Sequence, residues 1–262
     1  MSDFTYESLV VMREGDVTSI KFNRPDRFNS FNQDMAFEFQ RALDKCAVDG
    51  TRCAVITGEG KAFSAGQDLN EVVDPNGPPM NRIVSDHFNP IIRRLRELNL
   101  PVVAAVNGVA AGAGANIALA CDVVIAKESS YFLQAFSAIG LIPDSGGTYH
   151  LPRLIGWQRA SALMMLGDKV GAKEAEAMGM IYKVIPDTEW DHYLAALVQR
   201  LANMPTKGLA LTKRALNLSL TSTLYDQLKY EEQLQTKAGK TDDYAEGVKA
   251  FLEKRKANFT GR

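Results

Sequence analysis

The sequence predicts an α/β fold followed by a helical C-terminal region. In the first two-thirds of the chain, short apolar runs rich in β-branched residues alternate with helical patterns, whereas the last third is nearly all helical. The 262 residues are enough to bury a sizeable core. The shift in pattern near Ile155–Gly167 therefore indicates a mixed α/β core followed by a helical packing or assembly domain.

The N-terminal part of the chain predicts a hairpin and an amphipathic helix. Leu9–Met12 and Val17–Phe22 flank the turn Glu14-Gly15-Asp16, which is typical of a hairpin. A polar loop, Asn23–Arg27, comes next. Asn32–Val48 then places four apolar residues at three- and four-residue spacing, as in a helix with one buried face: Met35, Phe39, Leu43 and Cys46.

Two glycine-rich stretches each follow a predicted buried strand. Cys53–Thr57 is the first of these strands, and the loop Gly58–Gly66 comes after it. Val102–Val106 is the second strand, and the turn Gly112–Gly114 lies between it and a predicted helix at Asn116–Ala120. Between the two strands, the sequence predicts a mobile surface loop at Val72–Pro79 and a helix at Arg82–Leu98.

The glycine-rich turns could bind an anion through the backbone. A turn of this kind at a helix N-terminus leaves N–H groups unpaired, and the helix dipole favours negative charge there. A phosphate or a developing oxyanion would suit it, and close packing of helix against strand is the structural alternative. Ser64–Gln67 and Gly112–Gly114 could each supply one N–H to the same oxygen, which would make an oxyanion hole.

The remaining segments predict further strands, two helices and then a helical C-terminal part. The predicted strands are Val123–Ala126, Tyr131–Gln134 and Val184–Ile185. The predicted helices are Thr148–Ile155 and Arg159–Leu166. From Glu189 onward the pattern is helical, with breaks near Pro205 and Gly239.

Asp144 is the one acid in Ile139–Gly147, a predicted loop of mostly apolar and small residues. A carboxylate is costly to bury among such residues, and its pKa should rise toward the range useful for proton transfer. Alternatively, Asp144 caps the helix that begins near Gly147. The residues alone leave a catalytic acid/base and a helix cap equally open.

Composition and charge argue against several classes of protein. The formal net charge of −1 gives no indication of nucleic-acid binding. The sequence contains no apolar run of about 18 residues, so it predicts no transmembrane helix. The three cysteines and three histidines lack metal-ligand spacing, so we expect no metal. The N-terminal segment lacks a basic-then-apolar secretory signal. We therefore expect a cytoplasmic protein with reduced thiols and no membrane partner.

A group of basic residues lies near the C-terminus: Lys249, Lys254, Arg255 and Lys256. A solvated helix face is the structural interpretation of this basic patch. The functional interpretation is a phosphate clamp, which would need another observation that points to phosphates.

Five segments together resemble the enoyl-CoA hydratase/isomerase (crotonase) superfamily: Asn23-Arg24-Pro25, Phe63–Leu69, Pro101–Asp122, Gly140–Gly147 and Thr241–Arg255. The resemblance runs over essentially the whole chain. It implies a ClpP/crotonase-like spiral of ββα units over residues 1–195, carrying the CoA and oxyanion site, and a helical trimerisation region over residues 196–262. It also implies an acyl-CoA substrate, a homotrimer or dimer of trimers, and no cofactor, because coenzyme A is part of the substrate.

The resemblance also implies roles for particular residues. The backbone N–H groups of Gln67 and Ala113 would be the oxyanion-hole donors. Phe251 and Lys254 match positions that meet CoA from a C-terminal helix, in some members that of a neighbouring subunit, which favours a phosphate clamp at Lys254. Five residues would lie beside the adenine pocket or the CoA entrance: Ala65, Asp68, Leu69, Arg24 and Arg27.

Two positions depart from the hydratases of this superfamily. Those enzymes carry two glutamates that position and activate water, and Asn116 and Phe136 stand in their places. Neither side chain can take up a proton as a carboxylate does, so we expect inefficient hydration. Asn116 could orient the substrate, hold a water or only pack its helix, and Phe136 would help to exclude water. Asp144 stands where dienoyl-CoA isomerases and some related members place a catalytic aspartate.

Within the superfamily, three segments resemble the bacterial ring-1,2-epoxyphenylacetyl-CoA isomerases: Phe63–Asn70, Gly112–Asp122 and Gly140–Thr148. This implies an isomerase that stabilises a thioester enolate, with Asp144 as acid/base. It would convert the ring epoxide to an oxepin and shift β,γ/α,β double bonds in phenylacetate catabolism. The alternatives are an enoyl-CoA hydratase, a delta3-delta2-enoyl-CoA isomerase of fatty-acid oxidation, a CoA-thioester hydrolase, and a non-catalytic or RNA-binding member.

Overall fold

The computed structural model describes residues 5–262, so residues 1–4, the start of the segment considered for a secretory signal, lie outside the described residues. The strands are β1 (Leu9–Glu14), β2 (Val17–Phe22), β3 (Cys53–Gly58), β4 (Ala62–Ser64), β5 (Val102–Val106), β6 (Val109–Ala111), β7 (Val123–Lys127), β8 (Tyr131–Leu133), β9 (Lys169–Gly171) and β10 (Lys183–Ile185). Across this described range they form a six-stranded sheet, in the order β1-β2-β3-β5-β7-β10, and a four-stranded sheet, in the order β4-β6-β8-β9.

Helices surround the two sheets and make up the C-terminal part. They are α1 (Gln33–Cys46), α2 (Leu69–Val73), α3 (Met80–Arg82), α4 (Asn89–Glu97), α5 (Ala113–Leu119), α6 (Gly147–Ile155), α7 (Trp157–Leu166), α8 (Ala172–Ala177), α9 (Trp190–Ala202), α10 (Thr206–Ser219), α11 (Leu224–Ala238) and α12 (Asp242–Leu252). The π-helical segment Ile83–Phe88 joins α3 to α4. Short 3-10 turns lie at Pro25–Arg27, Ser137–Ile139 and Asp187–Glu189. Within residues 5–262, none of the helices is long and apolar enough to cross a membrane.

The chain passes repeatedly from the larger sheet to the smaller one. β3, β5 and β7 are parallel neighbours in the larger sheet, and each is followed at once by a short strand of the smaller sheet. Those short strands, β4, β6 and β8, are also parallel to one another. A helical segment follows each pair of strands. This is the ββα spiral that the resemblance implies, and the predicted fold class is confirmed.

Most predicted elements lie within a few residues of those observed, and the differences fall in short segments. The predicted loop Gly58–Gly66 contains β4, and three further residues after Gly108 form β6. Three residues are too few to show a two-residue hydrophobic period, so neither strand could be recognised locally. The helix predicted to begin at Asn116 begins at Ala113 instead. Asn32 caps α1, with its side chain accepting a hydrogen bond from the Met35 amide (3.1 Å).

A cluster of phenylalanines fixes the position of β4. The ring of Phe22 in β2 lies 5.0 Å from that of Phe31, 5.1 Å from that of Phe39 in α1 and 5.3 Å from that of Phe63 in β4, each edge to face. All four side chains are fully buried. Such pairs contribute about 0.5–1.5 kcal/mol each beyond their burial. The cluster therefore anchors the segment that runs from Ser64 into the candidate site.

Helix α9 covers the other face of the larger sheet. Its buried side chains Trp190, Val198 and Ala202 pack on strand residues that include Cys53, Val55, Val103, Ala105 and Ile125. The domain boundary predicted at residue 195 falls inside this helix, which continues to Ala202. That boundary stays a prediction.

A buried lysine joins the C-terminal helices to the core. Lys213 of α10 is 6% exposed, and its Nζ lies 2.7 Å from the carboxylate of Asp122. The same Nζ donates to three carbonyl oxygens, at 3.0, 3.1 and 2.9 Å: those of Leu95, Leu98 and Leu100. Every proton of the ammonium group is thereby engaged, as a buried charge requires. These contacts hold α10 against the segment that leads into β5.

Candidate active site

The segment after β4 carries the first predicted oxyanion donor, Gln67. Its neighbours pair with Phe31, because the Phe31 amide donates to the Gly66 carbonyl (2.7 Å) and the Asp68 amide donates to the Phe31 carbonyl (2.8 Å). Backbone groups alternate in direction along extended chain, so the N–H of Gln67 points away from Phe31. Among the hydrogen bonds of residues 5–262, none uses this N–H as a donor.

The turn before α5 carries the second predicted donor, Ala113. Gly112 has φ 51° and ψ −127°, a conformation that residues with a side chain rarely adopt. The turn starts α5 at Ala113, and the first N–H groups of a helix have no acceptor within the helix. In the part of the chain that the structure describes, the Ala113 N–H has no acceptor elsewhere either.

The two predicted donors lie in touching segments. A Cβ atom placed on Gly66 would come within 3.1 Å of the Ala113 nitrogen and 2.9 Å of the Ala111 carbonyl oxygen. Only a residue without a side chain fits there. Two free backbone N–H groups on adjoining segments are the arrangement that stabilises a negatively charged carbonyl oxygen. The ring of Phe136 borders this cradle, with its Cζ 3.8 Å from a Cβ placed on Gly112.

Asp144 does not cap α6, so the capping interpretation is wrong. Ser145 and Gly146 adopt left-handed conformations, with φ 51° and 72°, and the cap position falls on Gly146. The Asp144 carboxylate accepts a hydrogen bond from the Ser145 hydroxyl (3.0 Å). Burial raises the pKa of Asp144, and the Ser145 hydroxyl opposes that shift in part. A carboxyl group of this kind is suited to exchanging protons with a ligand.

Ser145 is a site residue that the sequence did not identify. It is 1% exposed and holds φ 51°, which costs on the order of 1–3 kcal/mol for a residue other than glycine. Its hydroxyl donates to the carboxylate of Asp144. No sequence signal distinguishes this serine from an ordinary loop serine, because its role depends on that backbone conformation.

Replacing Ser145 with alanine is expected to shift the titration of the Asp144 carboxyl group to higher pH. The hydroxyl stabilises the carboxylate form, so its loss raises the pKa of Asp144 further, and the carboxylate becomes protonated earlier as pH falls. An NMR titration of the Asp144 carboxyl group measures the shift, and Ser137→Ala, at an exposed position of the preceding 3-10 turn, is the control. A shift to lower pH would contradict this role.

Asn116 lies between the turn Gly112–Gly114, which carries the Ala113 donor and is called the oxyanion segment below, and the loop that carries Asp144. It is fully buried on α5, one turn after Ala113. Its Nδ2 donates to the carbonyl oxygen of Asp144 (2.9 Å), and its Oδ1 accepts from Nε2 of Gln134 (2.8 Å). The structure thus brings together five predicted site residues: Gln67, Ala113, Asn116, Phe136 and Asp144.

Arg24 and Asp68, two of the predicted CoA-binding residues, form an ion pair at 2.9 Å. Burial acts to raise the pKa of Asp68, but hydrogen bonds from Arg24 and Asn70 outweigh it, so the pKa is lowered. Asp68 also caps α2 by accepting from the Asn70 amide (3.1 Å). This pair therefore holds the first glycine-rich segment against the loop after β2.

Three further predicted CoA-binding residues lie around that ion pair with fewer contacts. Ala65 donates its amide to the Phe28 carbonyl (2.9 Å). Leu69 is half exposed, and the exposed Arg27 lies 3.6 Å from the carboxylate of its neighbour Asp26. An exposed leucine and an exposed guanidinium remain available to a ligand at this surface.

The chain has relatives of known family. The profile described as enoyl-CoA hydratase/isomerase matches residues 12–262. The chain belongs to the enoyl-CoA hydratase/isomerase family. It is therefore an enzyme of the crotonase superfamily that acts on CoA thioesters.

Individual relatives of this family include both isomerases and hydratases. The chain is 47% identical to the 1,2-epoxyphenylacetyl-CoA isomerase of Escherichia coli K12, over 95% of this chain and 97% of that protein. It is 34% identical to the 2,3-dehydroadipyl-CoA hydratase of the same organism, over 97% of this chain and 99% of that protein. The crystal structure of enoyl-CoA hydratase from Bacillus anthracis matches with a TM-score of 0.90 at 31% identity, covering 98% of this chain and 100% of that one.

Among residues 5–262, no contact within one chain brings Phe251 or Lys254 to the segments that carry Gln67 and Ala113. Phe251 is exposed on α12 and borders a groove of about 430 Å³ between α10, α11 and α12. Lys254 is exposed and follows α12 with φ 53°. Its neighbour in the basic patch, Arg255, is paired with Glu246 (2.6 Å) and Glu253 (2.6 Å). The charge of Arg255 is thus paired with carboxylates of the same C-terminal region.

Proposed function

We propose that this enzyme is an acyl-CoA isomerase that forms a thioester enolate and uses Asp144 to move the proton. One observation carries the proposal. The partly buried carboxyl group of Asp144 has a raised pKa, and the backbone carbonyl oxygen of the same residue accepts a hydrogen bond from Asn116, on the helix that presents the Ala113 amide. The two places where hydratases of the superfamily are expected to carry glutamate hold Asn116 and Phe136 instead.

In the proposed mechanism, the thioester carbonyl oxygen lies between the N–H groups of Gln67 and Ala113. These donors lower the pKa of the α-protons by stabilising the enolate, and one such donor is typically worth about 3 kcal/mol in the transition state. Asp144, as carboxylate, removes a proton from one carbon. Once protonated, it returns that proton to another carbon, which moves the double bond.

The proposed substrate is a ring-1,2-epoxide of phenylacetyl-CoA, and the product is the oxepin thioester. The likeness to the Escherichia coli isomerase supports this choice. The same proton withdrawal and return would accompany the C–O and ring rearrangement. Substrate and product are isomers, so the reaction consumes no water, oxidant or reductant. We accordingly propose that the enzyme needs no cofactor besides the coenzyme A of its substrate.

A panel of acyl-CoA thioesters tests the proposed function. We expect the ring epoxide and 3-enoyl-CoAs to be converted without any change of mass and with a change in ultraviolet absorbance. Mass spectrometry separates this outcome from hydration, which adds one water, and a free-thiol assay separates it from thioester hydrolysis. Release of free CoA as the main product would replace the isomerase with a hydrolase.

Crotonyl-CoA is expected to be a poor hydration substrate. Asn116 and Phe136 supply no carboxylate to activate water, and general-base catalysis typically contributes about 10²–10⁴-fold to a rate. The formation of 3-hydroxybutyryl-CoA by chromatography measures the activity, with a 3-enoyl-CoA as the positive control for the same preparation. Rapid hydration would show that another acidic residue activates the water.

We further propose a cytoplasmic homotrimer or dimer of trimers, with neither a nucleic-acid nor a membrane partner. Exposed apolar side chains on the C-terminal helices, among them Leu224, Leu228 and Phe251, support an assembly role for that region. Binding of CoA by Phe251 and Lys254 of a neighbouring subunit is part of this proposal. The near-neutral charge of the chain gives no support to an RNA-binding function.

A further inference from the structure

We propose that Asn116 and Gln134 are positioning residues that hold Asp144 at a fixed place relative to the oxyanion segment. This inference rests on the proposed function, because it assigns a role to Asp144. Gln134, which directly follows β8, donates to Asn116 on α5, and Asn116 donates to the backbone of the loop that bears the carboxylate. Asn116 is fully buried and Gln134 is 5% exposed.

The chain of hydrogen bonds has one possible direction. The Asp144 carbonyl oxygen can only accept, so Asn116 must present its NH₂ group to it. The Asn116 oxygen then faces Gln134, which must also present its NH₂ group. A carboxylate at position 116 could still accept from Gln134, but it would place an acceptor against the carbonyl oxygen of Asp144. The asparagine that replaces a hydratase glutamate is therefore matched to the backbone of the Asp144 loop.

Gly147 shows how closely the loop is pressed on Asn116. A Cβ atom placed on Gly147 would lie 2.3 Å from Nδ2 of Asn116, so no larger residue fits without a shift. The amide of Gly147 also donates to the Asp144 carbonyl (2.8 Å). Two donors thus hold the backbone oxygen of Asp144. Its carboxylate accepts from the Ser145 hydroxyl and takes no part in the contacts with Asn116 and Gly147, so it stays available to exchange protons.

The test replaces each amide with an apolar side chain of similar size, Asn116→Leu and Gln134→Met. We expect each variant to lose about 10- to 100-fold in kcat on a 3-enoyl-CoA with little change in KM, because a misplacement of about 1 Å can cost 10²-fold. The double variant should be little worse than Asn116→Leu alone, since Gln134 acts through Asn116. The matched control is Gln40→Met, because Gln40 is also buried and donates to backbone carbonyls elsewhere, at Asp86 and His87. It should keep kcat.

A second measurement does not depend on turnover. Amide hydrogen exchange in a peptide covering residues 144–147 should be faster in Asn116→Leu and Gln134→Met than in wild type, and unchanged in Gln40→Met. If wild type isomerises no substrate, the proposed function fails while the exchange result still tests the positioning. Unchanged exchange, a kcat within twofold of wild type, or equal losses of kcat in Gln40→Met would each overturn the inference.

Discussion

Asp144→Asn is expected to lose most isomerase turnover, by about 10²–10⁴-fold in kcat, and to keep acyl-CoA binding. Asparagine has the size of aspartate and can still accept the hydrogen bond from Ser145, so the loop should keep its shape. It cannot take up and return a proton. Steady-state kinetics with a 3-enoyl-CoA and a direct binding measurement with the same thioester separate the two effects.

The stability of Asp144→Asn is part of the same prediction. Burial raises the pKa of Asp144 in the folded protein above its unfolded value, so the folded state binds the proton more tightly. Above the folded pKa, the folded protein bears the unfavourable burial of the charged form, and this penalty is relieved as pH falls through the folded pKa. The neutral asparagine removes it, so the variant should melt no lower than wild type at pH 7. Asp191→Asn, at an exposed position of α9, is the control. A wild-type rate in Asp144→Asn would show that another group moves the proton.

The parts of the fold that could be predicted are those with a local pattern. Five consecutive buried residues in β5 leave an apolar run that any reader of the sequence can find. Strands β4 and β6 of the smaller sheet leave none, because they are three residues each and exist through pairing with one another. The turns into those strands depend on contacts across the sheet, which a sequence window does not contain.

The same distinction holds for the candidate site. Gln67 and Ala113 stand next to glycines, and Asp144 is a single acid among apolar residues, so each leaves a local signal. Whether Asp144 caps a helix was decided by the backbone of the two residues after it, which no pattern reveals. The role of Gln134 lies in a hydrogen bond across 18 residues, and that of Asn116 in one across 28. Such partners become visible only when the chain is folded.

Gly114→Ala is expected to dismantle the oxyanion hole. Gly114 lies in the first turn of α5, directly after Ala113, and a Cβ atom there would come within 2.4 Å of the carbonyl oxygen of Ser64. That oxygen is backbone and cannot rotate away, so α5 and the segment after β4 must separate. The amides of Gln67 and Ala113 would no longer meet at one oxygen. Loss of one such donor typically lowers kcat by about 10²–10³-fold, and we expect at least that loss.

Gly208→Ala is the matched control, because Gly208 is also a glycine inside a helix. The nearest atom to a Cβ at Gly208 is in the Pro205 ring at 3.7 Å, an ordinary contact. Alanine favours helix over glycine by about 1 kcal/mol, so this variant should be as stable as wild type or slightly more stable, with unchanged kcat. Thermal unfolding and kinetics with a 3-enoyl-CoA are measured for both variants. A Gly114→Ala protein that is folded and turns over at the wild-type rate would mean that these two amides do not hold the reacting oxygen, and that the enolate is stabilised elsewhere.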